Sequence, residues 1–393
     1  MSLPICSLKP RRDTPIRAGH PWIFSNALQT PEKIAAGALV EVRSAEGEFL
    51  GIGTFNPKNS ICVRLISREK RDIDTSFFAE KLSALDSRKR SLLSPDTTGY
   101  RICHADADGL PGLVVDRYQD VIVFQIHTLG MDLLRSQVLT ALEQAFHPQA
   151  IVERSDLEAR KMEGLQPLPP QVHQGDVDGV VAFLENGLNF LADVLHGQKT
   201  GFFLDQRDTR ALVRSLAKDK SVVNLFGYTG AFSVAALMGG AKRAVTIDVS
   251  APALAVVSRH YELNGLQVQS GDTVQADVID LLRSGSLPFR PDLLICDPPA
   301  FAKTQERAAE AARAYIGLNQ KCLEQLGGGG ILITSSCSGR VTAEEFRNLL
   351  RIAAGQARKK VQLLSFHEHP VDHPQMLAFP EGWYLKTAVL MVL

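Results

Sequence analysis

The chain has 393 residues, more than the roughly 150 that one domain usually holds, so two or three domains are expected. Apolar residues make up 45% and charged residues 22%, as in an ordinary globular protein; no apolar run reaches the ~18 residues of a membrane helix, and no signal-peptide segment opens the chain. Formal net charge is zero, so no global charge draws the protein to nucleic acid, and any RNA contact must use local basic patches.

Residues 1–72 read as short strands broken by turns: Ala38 to Arg43, Glu48 to Thr54 and Ile61 to Ile66. Their spacing predicts a small β-barrel. This part is locally basic, with Lys9, Arg11, Arg12 and Arg17 ahead of the aromatic-flanked segment His20-Pro21-Trp22-Ile23-Phe24 and four more cations in the stretch from Arg64 through Arg71. Residues 73–180 open with a charged helix, Thr75 to Leu93. A hairpin follows, Leu113 to Tyr118 and Val121 to His127, turning at Gln119-Asp120. A helix from Asp132 to Phe146 then precedes a strand from Ala150 to Arg154, and Gln166 to Pro170 reads as a stiff linker or exposed loop. This middle part is expected to be an α+β domain.

From about 181 to 393 strand and helix alternate, which predicts a doubly wound α/β domain. In such a sheet the groups just past the carboxyl ends of the strands line the ligand crevice. Ser221 to Phe226 is the predicted first strand, and Phe226-Gly227-Tyr228-Thr229-Gly230 the loop behind it, leading into a helix from Ala231 to Met238. The glycines permit a tight turn and close approach of backbone to a ligand. The second strand, Ala244 to Ile247, ends at Asp248, placed to accept hydrogen bonds from ribose hydroxyls. Asp277 ends the third, after Thr273 to Ala276, within reach of an adenine amino group. The dehydrogenase fingerprint Gly-x-Gly-x-x-Gly is absent, as is a phosphate loop with Lys-Ser/Thr. With Asp297 at a further strand end, the set reads as an S-adenosylmethionine site.

Two strand-end segments carry the chemistry: Asp297-Pro298-Pro299-Ala300-Phe301 after an apolar run ending at Cys296, and Ser335-Ser336-Cys337-Ser338-Gly339 after Gly330 to Thr334. A carboxylate and a thiol would face one site. None of the six cysteines falls in a Cys-x-x-Cys pair, so neither a zinc ribbon nor a disulfide framework is expected, and free thiols suit the cytoplasm. Cys6, Cys62, Cys103, Cys296 and Cys322 read as small buried thiols. His369 and His373, among Glu368 and Asp372, match no zinc spacing, and no metal is expected. Gly327 to Gly330 reads as a flexible turn.

The chain resembles the large-subunit ribosomal RNA cytosine-C5 methyltransferases that join a PUA domain to a class I, Rossmann-like methyltransferase domain. The resemblance rests on His20 to Phe24, Ala105 to Arg117, Glu153 to Asp156, Gly197 to Arg210, Asp372-His373-Pro374 and Pro380-Glu381-Gly382, and so runs nearly end to end. It implies a PUA-like RNA-binding barrel at 1–72, a middle RNA-binding domain at 73–180 and a methyltransferase domain at 181–393. Phe226 to Gly230, Asp248, Asp277 and Asp297 would hold S-adenosylmethionine, with Asp297 and Cys337 catalytic. Partners would be large-subunit ribosomal RNA, free or in an assembling subunit, and no membrane; a homodimer is left open.

Carbon 5 of cytosine is a poor nucleophile. A thiolate adding to carbon 6 makes it an enamine, and cysteine is both nucleophile and leaving group. A carboxyl such as Asp297 can bond or protonate N3 as charge builds on the ring. A better-known branch of cytosine-C5 methyltransferases has a second cysteine after Pro-Pro; here Ala300 stands there, so enzyme release cannot use a thiol at that point. Thr200 to Arg207 is either a cover for the cofactor reaching RNA through Arg207 or a helix start with a buried Phe pair, and Lys303 is either a phosphate contact or solvated. The alternatives are a ring-nitrogen or exocyclic-amino RNA methyltransferase, which needs no Cys337, and a non-catalytic RNA-binding assembly factor, against which the Asp248, Asp277, Asp297 and Cys337 set argues.

Overall fold

The computed structural model describes residues 3–29, 33–301 and 308–393. It parts into two compact units, one of residues 1–187, 191–204 and 371–382, the other of residues 188–190, 205–370 and 383–393.

In the first unit, β1 (Ile5–Ser7), β2 (Trp22–Phe24), β3 (Leu39–Arg43), β4 (Phe49–Phe55) and β5 (Ile61–Ser67) form a sheet in the order β1-β3-β4-β5-β2. Its inner side chains, among them Val40, Val42, Phe55 and Val63, are buried together. A second sheet has the order β10-β9-β8-β7-β6, built from β6 (Gly99–His104), β7 (Leu113–Tyr118), β8 (Val121–Ile126), β9 (Ala150–Glu153) and β10 (Gln171–Gln174). The helix Thr75–Leu92 starts on an Asp74 cap that accepts from the Phe77 amide, and it buries Phe77, Phe78, Leu82 and Leu85. Those side chains share one core with Ile52 and Ile66 of the first sheet, so the first sheet and the middle segment pack as one body. The predicted helix Asp132 to Phe146 is two helices, Leu129–Leu133 and Arg135–Phe146, meeting at Leu134. The Pro-rich run at 166–170 is a loop inside this unit, tied by the Leu168 amide to the Ser155 carbonyl, and not a linker between bodies. A hairpin of β11 (Val180–Glu185) and β12 (Leu188–Asp193) follows, unread in the sequence.

The second unit holds a seven-stranded sheet. Its strands are β13 (Ser221–Leu225), β14 (Arg243–Asp248), β15 (Thr273–Gln275), β16 (Leu293–Cys296), β17 (Ile331–Ser336), β18 (Val361–His367) and β19 (Lys386–Val392), in the order β15-β14-β13-β16-β17-β19-β18. The first five run parallel, and β19 is antiparallel to both β17 and β18. Strands covered on both faces read as unbroken apolar runs. Leu293 to Cys296 and Ile331 to Ser336 are accordingly buried throughout. The order reverses at β13, whose neighbours are β14 on one side and β16 on the other, and ligands of such sheets sit at the carboxyl ends beside that switch point. Among the described residues, no helix is long and apolar enough to cross a membrane.

Candidate functional site

The loop after β13 leaves the sheet abruptly. Phe226 and Tyr228 take left-handed backbone angles (φ 56° and 48°), as does Gly230 (φ 78°). Two aromatic residues in that region cost about 1–3 kcal/mol each, a strain typical of ligand loops. The surroundings hold the loop in place. The Gly227 amide donates to the Ile247 carbonyl at 3.0 Å, and the Tyr228 amide to Asp248 Oδ2 at 2.9 Å. From beneath, His260 Nδ1 donates to the Thr229 carbonyl at 2.8 Å. Asn224 Nδ2 donates to the Ser233 hydroxyl, which bonds Thr246 at 2.7 Å. Gly227 is required for packing: a Cβ there would lie 2.5 Å from Thr246 Cγ2 and 2.8 Å from Asn224 Nδ2.

Asp248 closes β14 half-buried. Its other oxygen accepts from the Ser250 amide at 2.9 Å, so it orients the loop and keeps lone pairs for a hydroxyl-bearing ligand. The next side chain, Val249, is 67% exposed, an apolar platform beside an acid, which suits the flat face of a nucleoside. The sequence reading passed over it. Asp277 is an exposed helix cap: Oδ1 accepts from the Ile279 and Asp280 amides at 2.8 and 3.1 Å. Its cap role anchors the carboxylate at the end of β15. These acceptors and the apolar surface fit an adenosyl group.

The second cluster sits on the other side of β13. Strands β16 and β17 pair in parallel with Cys296 opposite Thr334, so the Asp297-Pro298 segment that follows β16 and Cys337, which follows the last residue of β17, lie at the same edge of the sheet. Cys337 Sγ points at the Pro298 carbonyl oxygen, 3.9 Å away. Among the described residues Cys337 is the one cysteine that is not buried. Burial pushes the Cys6 thiol up to about 11 and raises Cys62, Cys103 and, with a hydrogen bond to the free thiol of Cys322, Cys296. These four are poor thiolates, and the buried reading of Cys296 stands.

Tyr315, on the helix Ala308–Glu324, ties the two strand-end segments together. Its phenol accepts from the Ser336 hydroxyl at 2.9 Å and bonds the Ser338 hydroxyl at 3.0 Å, the residues flanking Cys337. Its ring stands edge-on to Phe301 of the Asp-Pro-Pro segment, centroids 4.9 Å apart. Burial raises the phenol's pKa, with Cys337 and Asp297 adding to the effect. Across the sheet Lys386 Nζ donates to the Ser338 and Val341 carbonyls. Neither Tyr315 nor Lys386 was picked out from the sequence.

The structure thus brings Asp297 and Cys337 to one sheet edge, with Phe226 to Gly230, Asp248 and Asp277 following on that edge through β13, β14 and β15. Other expectations fare differently. Arg207 is 2% exposed at the start of the helix Arg207–Leu216, so it does not reach out to RNA; of the Phe pair that the plainer alternative buries, Phe202 is buried and Phe203 half-buried. His369 Nε2 accepts from the Tyr384 and Leu385 amides, and His373 is buried against Asp372. Lys303 lies outside the described residues. In the first unit Arg11 and Arg12 are exposed, Arg17 is held by Asp13 and Glu48, and the Trp22 indole donates to Asp106 at 2.6 Å.

Comparison with known proteins adds an independent line. Residues 7–68 match the PUA-like domain family, and residues 173–376 match the S-adenosylmethionine-dependent methyltransferase family. Ribosomal RNA large subunit methyltransferase I of Aliivibrio fischeri is 38% identical over 95% of this chain and 96% of its own length. The protein of that name from Shewanella denitrificans is 38% identical over 98% of both. Among solved structures, one assigned as a SAM-dependent methyltransferase from Streptococcus mutans superposes with a TM-score of 0.84 at 25% identity, covering 99% of this chain and 100% of that one. A methyltransferase solved in complex with SAH gives 0.85 at 26% identity over 100% of both chains.

Proposed function

The chain belongs to the ribosomal RNA large subunit methyltransferase I family, and from that premise we propose that it methylates carbon 5 of a cytosine in large-subunit ribosomal RNA through a covalent Cys337 adduct. S-adenosylmethionine supplies an electrophilic methyl group. Phe226 to Gly230, Asp248 and Asp277, with Asp297 beside them, are the residues assigned to hold it.

The observation that carries the reading is the placement of an accessible thiol, Cys337, against the Asp297-Pro298 segment, its Sγ 3.9 Å from the Pro298 carbonyl oxygen. As thiolate, Cys337 adds to cytosine carbon 6, and the electron pair of the 5,6 double bond moves to carbon 5. Charge that spreads to N3 and O2 meets Asp297, which bonds or protonates N3. Carbon 5 takes the methyl group as the methyl–sulfur bond of the sulfonium breaks and S-adenosylhomocysteine leaves; carbon 5 then gives its proton to water, and that electron pair re-forms the 5,6 double bond and expels Cys337 as thiolate. A ring-nitrogen or amino methyltransferase has no use for a thiol at this point.

RNA contact is assigned first to the PUA-like segment, whose exposed Arg11 and Arg12 are free to meet phosphate. Such contacts weaken as salt rises.

The test is trapping. Ribosomal RNA carrying 5-fluorocytosine should form a stable adduct, because fluorine cannot leave as a proton does. Cys337→Ala should abolish both the adduct and methyl transfer while cofactor binding persists; Cys296→Ala should still trap. Turnover by Cys337→Ala would refute thiol addition and favour nitrogen methylation. Cofactor binding with no turnover on any ribosomal RNA would favour the assembly-factor alternative.

A further inference from the structure

Lys386 is the first residue of β19 and pairs across the antiparallel ladder with Ser336, the residue before Cys337. Its side chain runs inward and is 3% exposed. The ammonium donates to the Ser338 carbonyl at 2.7 Å and the Val341 carbonyl at 2.6 Å, so the segment after Cys337 curls around it. Two of its three N–H groups are used in this way. A lysine buried this deeply ordinarily has a carboxylate partner. Here, among the described residues, none lies within ion-pair distance, and Glu345 and Glu368 act only from farther off.

We propose that Lys386 is a positioning residue for Cys337: its buried ammonium clamps the segment that carries the thiol and supplies the positive charge that favours thiolate over thiol. The idea rests on Cys337 as the nucleophile, but its test reads the thiol directly.

The electrostatics agree with the geometry. Burial pulls the Lys386 ammonium down to about 8, and the largest effect opposing that fall comes from Cys337, ahead of Glu368 and Glu345. Coupling between two titrating groups is reciprocal: what the thiolate does to hold the proton on lysine, the ammonium does to release the proton from the thiol. The proton passes to water and no other bond changes. Among the described residues, the Tyr315 phenol on the helix Ala308–Glu324 also couples to Cys337 and to Asp297, which follows β16. Glu345 is bound up in the capping box of the helix Ala343–Gln356, where its carboxylate accepts from the Thr342 amide. A carboxylate partner for Lys386 would neutralise the charge, whereas carbonyl oxygens hold the ammonium in place and leave its charge to act on the neighbouring sulfur.

The experiment is the pH dependence of iodoacetamide alkylation at Cys337 in the full chain, followed on the Cys337 peptide by mass spectrometry; the other five cysteines are buried. Lys386→Met should move the alkylation midpoint upward by about one pH unit and slow the reaction near neutrality about tenfold. Lys386→Gln keeps an N–H donor for the Ser338 and Val341 carbonyls but not the charge, and should show the same upward shift, which separates clamp from charge if the Met variant does not fold. Lys386→Arg should bring the midpoint back toward that of the unsubstituted protein. A folded Gln or Met variant whose midpoint is unmoved overturns the proposal, even if methyl transfer is lost. Retained turnover by Cys337→Ala is the separate failure of the nucleophile reading.

Discussion

Tyr315 accepts a hydrogen bond from the Ser336 hydroxyl at 2.9 Å, so a residue of one helix fixes the backbone one step before Cys337. The same phenol bonds Ser338, and the same ring meets Phe301 of the Asp-Pro-Pro segment. A single buried side chain therefore sets the spacing between the two strand ends proposed to carry the chemistry. Near-attack geometry is sensitive to displacements of an ångström, so such a strut acts on rate more than on binding.

Tyr315→Phe keeps the ring and its edge contacts and removes the hydroxyl. The fold should lose about 1–2 kcal/mol, because the Ser336 and Ser338 hydroxyls lose a buried partner. The turnover number should fall by about tenfold or more with KM for RNA little changed. Steady-state kinetics beside a thermal melt would check this; unaltered turnover would mean that Ser336 and Ser338 hold the segment without help.

Asp248 serves loop and ligand together. Asp248→Ala removes acceptors for the Tyr228 and Ser250 amides as well as for ribose hydroxyls, and S-adenosylmethionine affinity should drop by ~1–3 kcal/mol. Asp248→Asn retains one acceptor oxygen and should fall between. Titration calorimetry on both variants decides the matter; affinity equal to that of the parent in the Ala variant would take Asp248 out of the cofactor site.

Gly227→Ala tests the packing of the loop. Gly227 does not need a left-handed backbone, so the penalty is steric: the added Cβ meets Thr246 Cγ2 at 2.5 Å and Asn224 Nδ2 at 2.8 Å, side chains of two buried strands. Overpacking of this kind costs about 1–3 kcal/mol, and the displaced loop should weaken cofactor binding about tenfold. Ordinary melting temperature and cofactor affinity in this variant would show that the loop yields freely.

His127 gives the first unit an acid-sensitive step. Burial, with Arg101, Arg160 and Lys199 nearby, lowers its pKa to about 4 from 6.5. Between those values the unfolded chain takes a proton and the folded chain does not, so stability falls as pH drops from about 6.5 toward 4. The loss should be about 2 kcal/mol, less than the full shift would give because His127 as a residue is only half-buried. Denaturant unfolding of His127→Gln at both ends of this range should show that part of the pH dependence removed.

Much of this protein is written along the chain. The runs 293–296 and 331–336 are apolar throughout because both faces of those strands are covered, and that pattern needs no tertiary information to be read. Strand ends in a doubly wound sheet share one edge, so the positions of Asp248, Asp277, Asp297 and Cys337 in the sequence are enough to place all four along that edge. The helix Ala231–Met238 begins directly after Gly230 for the same local reason that the sequence shows. What the chain did not disclose depends on partners distant in sequence. Lys386 matters because β19 runs antiparallel beside β17 and sets it opposite Ser336, and nothing local to residue 386 marks that pairing. Tyr315 reads as one more apolar residue of an amphipathic helix until packing aims its hydroxyl between two serines. Arg207 looks like a free cation and is 2% exposed, because burial of a long polar side chain is settled by what folds over it. Local periodicity determined the strands, the crevice and the residues at its edge; only the folded sheet, through antiparallel register and helix packing, decided which buried groups support the thiol.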